Sequence, residues 1–496
     1  MSWLDAVRSD SLTQWATWWP ALDAWATPLP PIRRLVSDSR LVKPGDTFVA
    51  LNAAAEAHIP SALSQGAVLA ICEGSAALES PFIDSDRLYL PQWSEHLGPA
   101  LARFSGLDQS TLKITAVTGT NGKSSIVHYL TQLDQQLGYS AAMLGTLGYG
   151  PLTDLQPASH TTPDLLTLHR LLSKGEAQGW QRVSLEASSH ALDQGRLQGV
   201  PIETAILTNL THDHLDYHGS LEAYAQAKAR LFHWPTLKAQ VINLDDALGQ
   251  RLLQTPFAGQ RLTYSLKDPS ADLYLAAWQA TPTGVAAQLV IDGIRHEVLW
   301  PLLGEFNLAN LLAVIAARWL QGDALDALLT AASQLQPVPG RMQRINTQEP
   351  TKPQVILDYA HTPDALQQVL ASLRAHCQGR LICVFGCGGN RDAGKRPLMG
   401  QIAAQGADQV WVTDDNPRHE NPAQIRQQIL HACPDGIEVA DRAEAIAAAI
   451  AQAAPDDWVL LAGKGHETDQ QIGDQRLPFD DRDQAMRALA QWSPHA

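Results

Sequence analysis

The residues with the strongest claim to chemistry are Gly119-Thr120-Asn121-Gly122-Lys123-Ser124. They follow an apolar strand, Ile114 to Val117. They open a helix whose apolar residues, Ile126, Leu130, Leu133 and Leu137, recur at helical spacing. The glycines let backbone N–H groups approach phosphate oxygens, and a helix N-terminus adds a favourable field. A lysine there can reach β- and γ-phosphates, and a serine hydroxyl can ligate Mg²⁺. Val117 stands where the usual phosphate loop has its first glycine.

Other segments carry ionisable groups at strand ends. Glu186, in Ser184-Leu185-Glu186-Ala187-Ser188-Ser189-His190, closes an alternating strand, and a carboxylate among hydroxyls suits a hard cation. Thr211-His212-Asp213-His214-Leu215-Asp216 follows the apolar strand Ala205 to Leu207. Lys228 lies on the apolar stripe of a helix that Ser220 caps and that carries Leu221, Tyr224, Leu231 and Phe232. A lysine on an inward face is paired, chemically altered, or snorkels to water. Further along, Asp358-Tyr359-Ala360-His361-Thr362-Pro363-Asp364 reads as a strand end turning into a helix, with Thr362 as cap and Pro363 first in the helix. Gly386 to Asp392 and Asp414 to Arg418 bring Arg391 and Arg418 to successive strand ends, where two arginines could bind a carboxylate. Surface loops are the plainer reading of both segments.

These groups need a large scaffold. The chain has 496 residues, 45% hydrophobic and 18% charged, which bounds it as globular with about three domains. Three blocks are expected: 1–106, 107–337 and 338–496, the last break marked by Pro337-Val338-Pro339-Gly340 as a hinge. Apolar runs ending in Gly- or Asp-containing turns, each followed by a helical stretch, predict a parallel α/β sheet in the third block. Ligands in such sheets sit beyond the carboxyl ends of the strands. The tryptophans Trp3, Trp15, Trp18, Trp19 and Trp25 read as an amphipathic packing segment.

The net charge of −15 argues against nucleic acid or an anionic membrane as the main partner. No apolar run reaches the roughly 18 residues of a membrane helix, and no secretory signal is visible. Five scattered cysteines point to a reducing cytoplasm. The partners expected are small molecules, and the chain is expected to act as a monomer.

In this order the motifs resemble the Mur ligase family of cell-wall peptide synthetases. The resemblance runs from Asp38-Ser39-Arg40, through Gly304-Glu305-Phe306-Asn307 and Asn310, to Lys464-Gly465-His466-Glu467. It implies three α/β domains: a uridine-nucleotide domain (1–106), a central ATPase-like parallel-sheet domain (107–337) and a Rossmann-like domain that takes the amino acid (338–496). Ser39, Thr161, Thr162, Ser188, Gln194 and Arg196 would hold a UDP-muramoyl dipeptide. Residues 119–124, Asn307, Asn310, Arg341, Asp358 and His361 would hold ATP. Ser124, Glu186, His214 and Lys228 would bind Mg²⁺, Lys228 as a carbamate. With Lys123, the last three would form the catalytic set.

Asp415-Asn416-Pro417-Arg418 matches the segment of members that add meso-2,6-diaminopimelate; lysine-adding relatives lack that arginine. Arg391, Gly463 and Glu467 would complete the pocket. The activity implied is ATP-dependent amide ligation through an acyl phosphate in peptidoglycan precursor synthesis, and so a part in cell shape and division. Closure of the third domain about the hinge would follow. A folylpolyglutamate-type or other cell-wall ligase, and a catalytically silent nucleotide-binding protein, are the alternatives. The chain departs from the family at His160, where Asn is usual, and across Asn52 to His58.

Overall fold

The computed structural model describes residues 29–74, 81–211, 213–345 and 351–494. The tryptophan-rich start and His212 lie outside them. The chain condenses into two units, Met1–Leu262 and Thr263–Ala496, so the break falls inside the block expected to run from 107 to 337.

The first unit holds two sheets. β1 (Leu35–Val36), β2 (Thr47–Val49), β3 (Leu69–Glu73), β4 (Phe82–Asp84) and β5 (Arg87–Leu90) lie in the order β1-β2-β3-β5-β4, parallel except for β4. The second sheet uses β6 (Lys113–Thr118), β7 (Ala141–Gly145), β8 (Gly148–Gly150), β9 (Arg182–Glu186), β10 (Ile202–Leu207) and β11 (Ala239–Asn243). Their order is β11-β10-β6-β9-β7-β8, with only β8 antiparallel.

β6 is central, and Ile114 to Thr118 are all buried, because a parallel sheet is covered on both faces. The helix Lys123–Gln136 packs Ile126, Leu130 and Leu133 inward, as the spacing predicts. The helix expected after Ser220 runs Leu221–Ala229, with the Ser220 hydroxyl capping the Ala223 N–H at 3.1 Å.

The strand β12 (Gln260–Ser265) contains the break and leads into β13 (Leu273–Thr281), β14 (Gly284–Ile291) and β15 (Ile294–Trp300) of the second unit, the last three antiparallel. Beyond them a six-stranded sheet is built from β16 (Gln343–Arg344), β17 (Gln354–Asp358), β18 (Leu381–Phe385), β19 (Gln409–Val412), β20 (Ile437–Glu438) and β21 (Trp458–Ala462), in the order β16-β17-β21-β18-β19-β20. Only β16 is antiparallel. In register, Asp358 sits beside Ala462 and Phe385 beside Val412. The turns after these four strands therefore open on one edge of the sheet. Thr362 caps the helix Pro363–His376, as the sequence predicts.

Candidate active site

The phosphate-loop segment is held by the strand beside it. β6 and β10 run in register, so Gly119 meets Thr208. A Cβ on Gly119, at φ +147°, would stand 1.7 Å from the Thr208 hydroxyl, so no side chain fits there. The Thr208 hydroxyl donates to the Asn121 carbonyl (2.6 Å), and the Asn121 N–H donates to the Asn209 side chain (3.0 Å). Gly122, at φ +86°, turns the chain into the helix. Lys123 curls over the loop and donates to the carbonyls of Gly119 (2.9 Å) and Thr120 (2.8 Å). Ser124 is buried at the helix start. A loop of this form at a helix N-terminus can receive an anion.

Lys228 reaches the same loop. It is 1% exposed, donates to the Gly119 carbonyl (2.7 Å), and lies 4.2 Å from the centre of the Tyr224 ring. Burial, then the charge of Lys123, holds its amine well below the ordinary lysine range. It is a buried lysine, not a snorkelling one. The Tyr224 hydroxyl stands 3.3 Å from the Thr120 hydroxyl.

Glu186 ends β9 beside Val117 and is 1% exposed. One carboxylate oxygen accepts the Thr146 N–H (2.8 Å), and the other the Thr146 hydroxyl (3.4 Å). A Cβ on Gly145 would sit 2.2 Å from this carboxylate, so glycine is required by close approach.

The dipeptide set gathers next to it. Thr161 accepts from Thr146 (3.1 Å), and the Thr162 hydroxyl donates to the Glu186 carbonyl (2.6 Å) and lies 3.2 Å from the Ser188 hydroxyl. Arg196 donates to Gln194 (2.8 Å) and to the Thr162 carbonyl (3.4 Å). Ser39 stands apart, buried where Asp38 caps a single turn. His160 keeps its ring exposed, while its carbonyl accepts from the Tyr149 hydroxyl.

His214 is exposed, at φ +51°, with its ring 4.9 Å from that of His190. His190 in turn lies against Tyr217 and His218. Among the described residues no three His, Cys, Asp or Glu side chains come together as a metal site. The Ser124 hydroxyl and the Glu186 carboxylate are nevertheless oxygen donors of the kind a hard divalent cation takes, and both are buried. The donor set fits Mg²⁺.

In the second unit, the Asp358 carboxylate accepts the N–H groups of Met342 (2.8 Å) and Ala360 (2.8 Å), and burial pushes its acid up to about 6. Arg341 lies 5.4 Å from the centre of the Tyr359 ring, and His361 and His466 flank that ring at 4.7 and 5.2 Å. Asn307 and Asn310 are buried on the helix Glu305–Leu320. Asn310 donates to Asn307 (3.3 Å), which donates to the Leu303 carbonyl (2.8 Å).

The second cluster of this unit joins the turns after β18, β19 and β21. A Cβ on Gly388 would lie 2.8 Å from the Arg418 guanidinium and 3.9 Å from the Arg391 side chain, so both arginines border one glycine. Arg418 donates to the Gly389 carbonyl (2.8 Å). Asn416 donates to Glu467 (2.9 Å), and Asp415 faces Gly463 closely enough that a Cβ there would stand 2.8 Å away. Pro417 is buried between them in sequence. Sequence reasoning passed over Tyr224, Thr208, Asn209 and Lys464. Tyr224 was legible only as apolar stripe, and Lys464 only as part of a motif.

Together, a phosphate-cradling loop and carboxyl-end sites on parallel sheets define a nucleotide-using α/β enzyme. The chain belongs to the Mur ligase family. Residues 117–318 match the Mur ligase middle domain, and residues 340–465 the Mur ligase glutamate ligase domain. It is 47% identical over 472 residues to UDP-N-acetylmuramoyl-L-alanyl-D-glutamate–2,6-diaminopimelate ligase of Pseudomonas aeruginosa, covering 94% of this chain and 96% of that one. The protein of the same name from Coxiella burnetii is 42% identical over 474 residues, 92% of this chain and 96% of its own. A solved structure of such a ligase matches with TM-score 0.75 and 39% identity, over 98% of this chain and 99% of that one. The ADP complex of MurF ligase from Thermotoga maritima shares the fold at TM-score 0.59 and 19% identity, over 92% and 97% of the two chains.

Proposed function

We propose that this chain is the ATP-dependent ligase that joins meso-2,6-diaminopimelate to the free carboxylate of the D-glutamate in UDP-N-acetylmuramoyl-L-alanyl-D-glutamate. The observation that carries the choice of amino acid is the pairing of Arg391 and Arg418 about Gly388, on the sheet edge that also carries Glu467. The distal end of diaminopimelate bears one carboxylate and one ammonium. Two arginines match the first and Glu467 the second. Lysine lacks that carboxylate and would leave the guanidinium groups without a partner.

A carboxylate is a poor electrophile, so it is first activated. An oxygen of the glutamate carboxylate attacks the γ-phosphorus of ATP, the bond to the β-phosphate oxygen breaks, and ADP leaves. The amine of diaminopimelate then adds to the acyl carbon. The tetrahedral adduct expels phosphate, and the amine proton passes to solvent. The loop amides at residues 119–124 and Lys123 take the charge of the phosphates, with Asn307, Asn310, Arg341, Asp358 and His361 assigned to the rest of the nucleotide. Thr161, Thr162, Ser188, Gln194 and Arg196 orient the dipeptide, and Ser39 takes the uridine end.

Ser124, Glu186, His214 and Lys228 are assigned to Mg²⁺, which when bound neutralises phosphate charge. Lys228 serves as a carbamate. Its uncharged amine bonds to the carbon of CO₂, a C=O pair becomes a carboxylate lone pair, and one N–H proton is lost. Burial favours the uncharged amine this step needs. The domain boundaries proposed are 106/107 and 337/338. The five cysteines are free, which suits the reducing cytoplasm, and among the described residues no helix is long and apolar enough to cross a membrane. A monomer is proposed.

The test is phosphate release from ATP and the uridine-linked dipeptide with Mg²⁺, comparing meso-diaminopimelate with L-lysine. Release that depends on diaminopimelate and ignores lysine is expected. Release indifferent to diaminopimelate overturns the reading.

A further inference from the structure

We propose that Lys464 is a positioning residue for the amino-acid substrate, because its buried ammonium and the Asn416 amide together grip one oxygen of Glu467 and leave the other free for the substrate's distal ammonium. The inference rests on the proposed diaminopimelate pocket and adds to it a residue that does not itself touch the ligand.

Lys464 follows β21 between two left-handed glycines, Gly463 at φ +112° and Gly465 at φ +53°. The Glu467 N–H closes the turn on the Lys464 carbonyl at 2.9 Å. That backbone path sends the side chain inward, and it is 0% exposed. Its ammonium donates to the Asn416 side-chain oxygen Oδ1 (3.2 Å) and to Glu467 Oε2 (3.4 Å). The Asn416 amide nitrogen donates to the same Oε2 (2.9 Å).

Both grips fall on Oε2. Glu467 Oε1 has no hydrogen-bond donor among the described residues, and the side chain is 31% exposed. A carboxylate fixed on one side and open on the other is a preformed seat for a cation. Without the grip, a glutamate on a turn samples many rotamers, and ordering it on binding would weaken the complex. The same Asn416 Oδ1 also accepts the Gln471 N–H at 2.9 Å. Replacing Lys464 by methionine thus leaves both remaining partners with a hydrogen bond.

The experiment compares the parent enzyme with Lys464→Met, Lys464→Gln, Glu467→Gln and the Lys464→Met/Glu467→Gln double variant, measuring KM for diaminopimelate, ATP and the dipeptide. Lys464→Met is expected to raise KM for diaminopimelate about tenfold, with the other two KM values within about twofold. Lys464→Gln, which keeps one neutral donor, is expected to fall between parent and methionine. In the Glu467→Gln background the methionine change is expected to add little, since the two act on one carboxylate. An unchanged KM for diaminopimelate, an equal rise in all three KM values, or full additivity with Glu467→Gln overturns the proposal. Should the methionine variant fail to fold, a glutamine variant with the parent's KM overturns it equally. A parent enzyme indifferent to diaminopimelate overturns the substrate reading, and this inference with it; a parent that responds, with variants that do not differ, removes Lys464 alone.

Discussion

Lys123 and Lys228 donate to the same backbone oxygen, the Gly119 carbonyl, from 2.9 and 2.7 Å. Two ammonium groups on one acceptor repel, and Lys228 is the one that burial and its neighbour drive toward the uncharged amine. This relationship separates the roles proposed for them: Lys123 for phosphate, and Lys228 for covalent modification. Lys228→Met keeps an apolar stem that reaches to Cε and removes the amine, so at least about a hundredfold loss of ligation is expected. Depleting CO₂ should lower the parent's activity and bicarbonate should restore it, while the variant responds to neither. Ligation assays with and without bicarbonate check this.

Lys123→Ala removes the only side-chain cation the loop itself carries. About a thousandfold loss of phosphate release is expected, with weaker ATP binding by calorimetry. Lys123 donates to the loop carbonyls of Gly119 and Thr120, contacts within its own turn, and thermal unfolding should move by little.

Gly145→Ala is the smallest change that tests Glu186. The new Cβ would stand 2.2 Å from the carboxylate, at a position with no left-handed strain. Either the strand or the glutamate gives way, at about 1–3 kcal/mol of stability. A displacement near 1 Å costs about a hundredfold in rate. The expected signature is a fall in kcat at an unchanged circular-dichroism spectrum.

Arg418 and Arg391 should set selectivity. Removing one arm of a charged pairing typically costs about 2–5 kcal/mol. Arg418→Ala is therefore expected to lower kcat/KM for diaminopimelate by roughly a hundredfold or more, and to shrink the preference over L-lysine. Competition assays with both amino acids read that ratio.

What the sequence made legible follows the physics of local signals. The loop at 119–124, the cap at Ser220 and the Thr362-Pro363 helix start are encoded by contiguous residues, and each is found. Lys228 was legible because an inward lysine is costly. The contacts that complete the sites are not contiguous. Thr208 on Asn121, Tyr224 on Thr120 and Lys464 on Asn416 arise from strand register and from turns 48 to 104 residues apart. Periodicity and spacing hold no information about such pairs. The compact division at residue 262 was equally hidden, because it falls inside the strand β12 rather than in a turn.

The last prediction concerns pH. The Asp358 acid rises from 3.8 to about 6, mainly through burial, with the Met342 N–H, Arg341 and the Ala360 N–H pulling it back. In the unfolded chain it titrates near 3.9. A carboxyl that is a weaker acid when folded stabilises the native state most below its unfolded value, and that stabilisation is lost as pH rises through about 6. Asp358→Asn cannot titrate. It also loses one acceptor of the two N–H groups of Met342 and Ala360, a cost of about 1–3 kcal/mol that does not vary with pH. The stability gap between parent and variant should therefore narrow by about 2 kcal/mol between pH 4 and pH 7. Urea unfolding of the two proteins across that range measures it. A gap that widens with pH would mean that the buried carboxyl ionises more easily in the folded chain than in the unfolded one, and that Arg341 and the two N–H groups outweigh burial.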